Sequence, residues 1–291
     1  MAGPTILAWG TEEQKRRHAA RILDATEVWC QGFSEPGAGS DLAGVRTRAE
    51  LDGDHWVVNG QKVWSSWAHI ADWCILLVRT DPDAPRHRGL SYLLLDMHAP
   101  GVEVRPLTQI TGDPEFNEIF LTDVRVPRES MLGQPGDGWQ VAMTTLGHER
   151  GSFGLALTAR LEVLLHQAIE LAQTRHPDGS RPADDQSIRR RLAQQWIELQ
   201  ALRTTALRSL STLLESGVPG PESTAIKLGW SESAQRLTHL GREIAGPAAL
   251  EAGGYWAYQQ LRSRGNTIEA GTSEVLRGII AERVLGLPRS R

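Results

Sequence analysis

The residues of this 291-residue chain with the clearest chemical potential lie in two short runs. Ser34-Glu35-Pro36-Gly37-Ala38-Gly39-Ser40-Asp41 is rich in glycine, which lets main-chain N–H groups approach an anion or a planar ring with no Cβ in the way. By itself such a run also describes an ordinary surface turn. Further on, Val57-Val58-Asn59-Gly60-Gln61-Lys62-Val63-Trp64-Ser65-Ser66 reads as a hairpin ending in an indole beside two hydroxyls. A tryptophan there serves either as sheet core or as one wall of a ligand site. None of the nine histidines falls in a metal spacing such as His-Glu-x-x-His and no Ser-His-Asp signature stands out, so neither a metal nor a hydrolase triad is expected. Cys30 and Cys74 sit in apolar stretches without Cys-x-x-Cys spacing and are expected as buried free thiols.

The elements that must position these residues fall into three regions. Residues 1–28 hold one short helix, from Thr11 as N-cap to about Asp24, too little to be a domain. Residues 29–134 are β-rich, with runs at Val45 to Leu51, His55 to Trp64, Trp73 to Arg79, Leu90 to Asp96, Val102 to Leu107 and Asn117 to Val126. Turn signals such as Asp52-Gly53-Asp54 and Asn59-Gly60 separate them, and the spacing reads as an antiparallel sheet or barrel. Residues 135–291 return to helical periodicity over Trp139 to Arg175, Asp184 to Ser216, Glu222 to Ala252 and Thr272 to Leu287. The fold class is therefore α+β: an antiparallel, β-barrel-like middle domain followed by a C-terminal four-helix bundle.

Charge excludes other classes. With 31 basic and 35 acidic residues the net charge is -4, which advertises no nucleic-acid or anionic-membrane surface, and Arg189-Arg190-Arg191 reads as a solvated helix face. No run reaches the roughly 18 apolar residues of a membrane span, and the apolar start from Met1 to Gly10 is no signal peptide, so a soluble cytoplasmic protein is expected.

In this order, and followed by Gly271-Thr272-Ser273-Glu274 before the last helix, the two runs resemble the acyl-CoA dehydrogenase family. The resemblance spans residue 3 to the C-terminus and includes Phe120-Leu121-Thr122-Asp123-Val124-Arg125-Val126-Pro127. It implies FAD as cofactor, an acyl-CoA substrate, electron-transfer flavoprotein as acceptor, and a homo- or hetero-oligomer with a homologous subunit. It also implies that most of an N-terminal helical domain, which helps enclose the acyl chain, is missing. By the same resemblance Gln31, Phe33 and Ser34 on the first strand, with Gly39 and Ser40, lie along the flavin ring and pyrophosphate. Trp64 packs against the isoalloxazine, Ser66 bonds near its N5 edge, and Thr272 and Glu274 meet the cofactor at the start of a helix.

The implied reaction removes the α proton of a thioester while flavin takes a hydride from the β carbon, so a carboxylate base is needed. Many family members carry it immediately before the Gly-Thr of the last loop, where this chain has Ala270, whose main-chain N–H can still donate to the thioester oxygen. Glu149, at the beginning of the first long helix, matches the position used by the isovaleryl-CoA and long-chain enzymes. Glu269 is the second candidate, and absence of a working base is the third. Two family contacts to flavin across a subunit interface are replaced, near Arg175 by His176-Pro177-Asp178-Gly179-Ser180 and later by Glu243-Ile244-Ala245-Gly246-Pro247. These departures keep a second function class open: a non-catalytic or half-catalytic subunit of a heteromeric enzyme. An oxidase on the same fold is a third.

Overall fold

The computed structural model describes residues 1–176, 178–217, 220, 222–251 and 253–288, with the backbone alone at 150–153 and 248. The chain forms two compact units, Met1–Leu146 and Gly147–Arg291.

The first unit opens with two helices, α1 (Ala2–Trp9) and α2 (Glu12–Leu23). Thr11 caps α2 as expected: its hydroxyl accepts from Gln14 N–H while the Gln14 side chain accepts from Thr11 N–H, a reciprocal capping box. No helix was expected over Ala2–Trp9. It forms because Pro4 falls in the first turn, where a missing N–H costs no intrahelical bond, and because Ile6 gains full burial.

Eight strands follow: β1 (Trp29–Gly32), β2 (Arg48–Asp52), β3 (His55–Ser66), β4 (Trp73–Arg79), β5 (Leu90–Asp96), β6 (Val102–Leu107), β7 (Phe116–Pro127) and β8 (Met131–Leu132). They form one sheet in the order β6-β7-β3-β2-β4-β5-β8, with β1 paired to β4. The sheet is mixed rather than wholly antiparallel, because β1 runs parallel to β4 and β2 touches β4 through one parallel pair, Arg48 and Arg79. The sheet is double-faced at its centre. Cys74, Leu76, Val78, Leu93 and Leu95 point to one apolar layer with Val58 and Ile119, while Ile75, Leu77, Leu90, Tyr92 and Leu94 point to another with Ile6 and Val141. That two-sided burial explains the apolar runs at 73–78 in β4 and 92–95 in β5. Cys30 and Cys74 are buried free thiols on neighbouring strands.

Asn59-Gly60 does not reverse the chain. β3 runs straight through it, and the hairpin lies at Gly53, φ +60°, between the paired Asp52 and His55. Gly60 is required for a different reason: a Cβ there would lie 2.7 Å from the Thr47 Cα. Asn59 instead bonds Asp123 of β7 in both directions, at 2.9 Å each, across a register shift in the ladder.

In the second unit α3 (Gly138–Gln173), whose first residues belong to the first unit, is followed by α4 (Gln186–Ser216), α5 (Glu222–Ala245), α6 (Tyr255–Asn266) and α7 (Ser273–Ile279). Leu161, Leu165, Leu199, Trp230, Leu237 and Trp256 are among its core residues. The third expected helix, Glu222 to Ala252, ends early, at Ala245 ahead of Gly246, φ +65°, and α6 forms in a stretch where no helix is expected. Glu243 lies in the last turn of α5 rather than in a loop.

Candidate active site

In the first unit the glycine-rich loop leaves β1 and turns back at once. Glu35 and Ala38 exchange two main-chain hydrogen bonds of 3.0 Å across Pro36 and Gly37. A Cβ built at Gly37 or Gly39 meets no atom within 4 Å, so the outer side of the loop is open to an incoming group. Gln31 is half-buried on β1; Ser34 is half-buried just beyond it, its carbonyl accepting from Val63 N–H at 2.9 Å; Ser40 is exposed. Phe33 differs from expectation. Its ring is 4% exposed and meets Tyr92 edge to face, so the side chain belongs to the core and is no wall of an open site.

Trp64 sits where β3 gains a residue relative to β7, between the Lys62–Ile119 and Ser65–Asn117 pairs. This bulge puts it in the left-handed region, φ +63°, with 60% of its surface exposed and its ring edge-on to Phe116 at 5.8 Å. A left-handed tryptophan costs about 1–3 kcal/mol, and such strain gathers where a ring must be presented. Ser66 is half-buried at the end of β3, whereas the Ser65 Oγ is buried with no hydrogen-bond partner.

Two residues not expected at the site are Lys62 and Glu35. Lys62 is fully buried, and its Nζ donates to the Glu35 carboxylate at 2.9 Å and the Phe33 carbonyl at 3.2 Å. Burial pushes the Lys62 ammonium down from the usual lysine value, opposed by Glu35. Burial pushes the Glu35 carboxyl up, but Lys62 and hydrogen bonds from Thr47 and Arg46 outweigh it and hold it below the usual value. The signal was present: period two along β3 puts Lys62 on the same side as buried Trp56 and Val58.

In the second unit Ala270 is exposed at φ +52° and Gly271 follows at φ +92°. Thr272 is the N-cap of α7, its hydroxyl accepting from Val275 N–H at 3.2 Å. Glu274's own N–H, and after it the Thr272 hydroxyl, hold the exposed Glu274 carboxyl below its usual value. Two further residues bear on this loop. The Lys227 Nζ, from α5, donates to the Gly271 carbonyl at 2.7 Å, and the buried Ser273 Oγ has no hydrogen-bond partner. Lys227 was detectable as a cation on the apolar stripe that continues through Trp230 and Ala234.

Of the two candidate bases, Glu269 is engaged by Arg262, whose guanidinium donates to its two oxygens at 3.4 and 3.1 Å. Glu149 is half-buried on α3. It does not begin that helix: α3 starts at Gly138, about three turns earlier, so the field of the helix N-terminus does not account for an acid there. Of the replaced flavin contacts, Pro177 lies outside the described residues, and the Glu243 carboxylate accepts from Arg191 at 2.8 and 2.9 Å. Arg189 and Arg190 are exposed.

Residues 30–124 match the acyl-CoA dehydrogenase middle domain, and residues 136–285 match the acyl-CoA dehydrogenase C-terminal domain. The chain belongs to the acyl-CoA dehydrogenase family. It is 47% identical over 294 residues to the acyl-CoA dehydrogenase IpdE1 of Mycobacterium tuberculosis, a match covering 99% of this chain and 74% of that protein. Among solved structures, the Tcur3481-Tcur3483 steroid ACAD superposes with a TM-score of 0.90 at 31% identity, and the ChsE4-ChsE5 complex from Mycobacterium tuberculosis with 0.88 at 35%. Each superposition covers 99% of this chain and 76% of the other. Members of the acyl-CoA dehydrogenase family are FAD flavoproteins. The first unit fits a flavin, because the open faces of Gly37 and Gly39 and the exposed, strained Trp64 leave room for a planar group and its phosphates. Among the described residues no helix is long and apolar enough to cross a membrane.

Proposed function

We propose that this acyl-CoA dehydrogenase catalyses α,β-dehydrogenation of an acyl-CoA thioester, with Glu149 as the base that takes the α proton. What supports this reading is Trp64, a left-handed, largely exposed ring at a strand bulge beside an open glycine loop. When bound, FAD supplies the acceptor for the β hydride. Residues 29–134 would hold it: Gln31, Ser34, Gly39 and Ser40 along its ring and pyrophosphate, Trp64 against the ring, and Ser66 at the reactive edge. In residues 135–291 Thr272 would present the N–H groups of its turn, and ionised Glu274 would accept from a hydroxyl rather than meet a phosphate. The Ala270 N–H would donate to the thioester oxygen, acidifying the α proton. Alanine has no basic group, so the carboxylate must come from another element, and Glu149, half-buried on α3, stands where some family members carry their base.

Rapid mixing of flavin-loaded protein with acyl-CoA tests the assignment. Glu149→Gln should retain FAD and acyl-CoA but lower the rate of flavin reduction by about two to four orders of magnitude, the scale of a lost positioned base. Glu269→Gln should change little. Normal reduction in the Glu149 variant removes the assignment, and loss confined to the Glu269 variant transfers it. Because a solved relative is a steroid ACAD, CoA thioesters with steroid acyl groups belong beside straight-chain ones in the substrate panel.

A second reading is favoured by one observation: Glu243, a carboxylate paired with Arg191, replaces a loop through which the family holds a neighbour's flavin. Under it the chain is a non-catalytic or half-catalytic subunit paired with a homologue, as the two-chain names of the solved relatives suggest. Flavin absorbance of the purified chain, alone and with a co-expressed homologue, separates the two. Near one flavin per chain when alone supports the enzyme with a homo-oligomeric assembly, and none supports the subunit. Electron-transfer flavoprotein is the proposed acceptor and the cytoplasm the proposed location.

A further inference from the structure

One buried ion pair ties the glycine loop to the strand that carries Trp64. The Lys62 Nζ lies two residues before Trp64 and holds both the Phe33 carbonyl and the Glu35 carboxylate. That carboxylate also accepts from the main-chain N–H of Arg46 at 2.7 Å and of Thr47 at 2.9 Å, just before β2. The main chain of Glu35 meanwhile closes the turn over Pro36 and Gly37 through its two bonds with Ala38. A single carboxylate thus gathers donors from two other segments at the root of the loop, while the loop's outer side stays open. An ammonium at a fully buried position carries a desolvation cost that an apolar side chain of similar length would avoid. What the pair adds is direction: its bonds specify where the loop leaves the sheet, which apolar packing alone does not.

We propose that Lys62 and Glu35 are positioning residues of the FAD-binding surface, holding the Pro36–Ser40 turn and the Trp64 bulge in receptive geometry before the cofactor arrives. The proposal rests on the flavin reading given above. It distinguishes the pair from a device for stability alone, because a neutral pair restores stability without restoring the grip on three donors. In Lys62→Met/Glu35→Gln no charge is left stranded, and the amide oxygen still accepts one or two of the main-chain donors.

The test is FAD titration of the flavin-stripped protein, read by quenching of flavin fluorescence and by the shape of the visible flavin bands, beside thermal unfolding. Lys62→Met is expected to lose both stability and affinity. Lys62→Met/Glu35→Gln is expected to unfold close to the unaltered protein, yet to bind FAD weaker by about tenfold or more, the usual scale when a supporting partner of a binding site is removed, with altered visible bands. A double variant that recovers both stability and affinity overturns the proposal. Absence of FAD binding by the unaltered protein overturns the flavin reading and this proposal together. Should the variants not fold, amide exchange on the unaltered, flavin-free protein decides: slow exchange at Arg46 and Thr47 supports preorganisation, and fast exchange that slows only with FAD overturns it.

Discussion

Two loops in this molecule solve the same problem with different means. In the first unit Trp64 is held left-handed at a strand bulge, and in the second Ala270 is held left-handed ahead of a short helix. A lysine with little or no exposure belongs to each: Lys62, two residues before Trp64, and Lys227, which bonds the Gly271 carbonyl. Lys62 lies fully buried inside a sheet, where its ammonium is matched by a carboxylate. Lys227 reaches from a helix to a loop carbonyl, and the same loop is also gripped by the Thr272 cap and the Arg262–Glu269 pair. The sheet-side loop adds a buried charged junction to its main-chain bonds, whereas the helix-side loop has a carbonyl bond, a cap and a partly exposed ion pair. Loss of one junction should therefore be felt more in the first than in the second.

The largest expected effect follows from that contrast. Lys62→Met strands the Glu35 carboxylate at 9% side-chain exposure and should lower unfolding free energy by about 3–5 kcal/mol, measured by urea titration. Lys227→Met removes the donor to the Gly271 carbonyl, a loss that should cost about 1–3 kcal/mol in the same titration. If Lys227→Met proves the costlier, the contrast between a buried charged junction and a carbonyl bond is wrong.

The pH response sharpens the same point. Glu35 is held below its ordinary value of 4.5, so its contribution to stability is present above that pH and is lost as pH falls through the lower folded-state value. Thermal midpoints taken between neutral pH and about pH 3 should fall more steeply for the unaltered protein than for Lys62→Met/Glu35→Gln, which has no titrating group at this junction. Parallel curves would show that the Glu35 junction is not what acid releases. The smallest effect is a gain. Ala270→Gly relieves a left-handed alanine but frees the unfolded chain, for a net stabilisation of about 0.5 kcal/mol. A loss in calorimetry would mean that the methyl group makes contacts worth more than the strain.

Much of this molecule was legible in its residues. The six long β runs, the Thr11 cap, the breaks between long helices and the α+β class follow from periodicity and turn chemistry, which act within a few residues and survive without tertiary context. The ordered motifs also sufficed for the family, since the loop at Ser34 to Asp41, the Trp64 run and Gly271 to Glu274 carry it in sequence. What the sequence alone left open depends on partners distant along the chain. Asn59-Gly60 resembles a turn, yet it continues a strand because Thr47 approaches Gly60 too closely for a side chain and Asp123 satisfies Asn59. Phe33 is core rather than site wall because Tyr92 waits for its ring, and Glu149 lies well inside its helix because α3 begins at Gly138. Lys62 reads as an ordinary strand cation until the sheet buries it and brings Glu35, 27 positions away in the chain, within hydrogen-bond reach. Local preferences decide which elements form, but only packing decides which polar groups lose their water, and a group that loses water must find a partner wherever the fold supplies one.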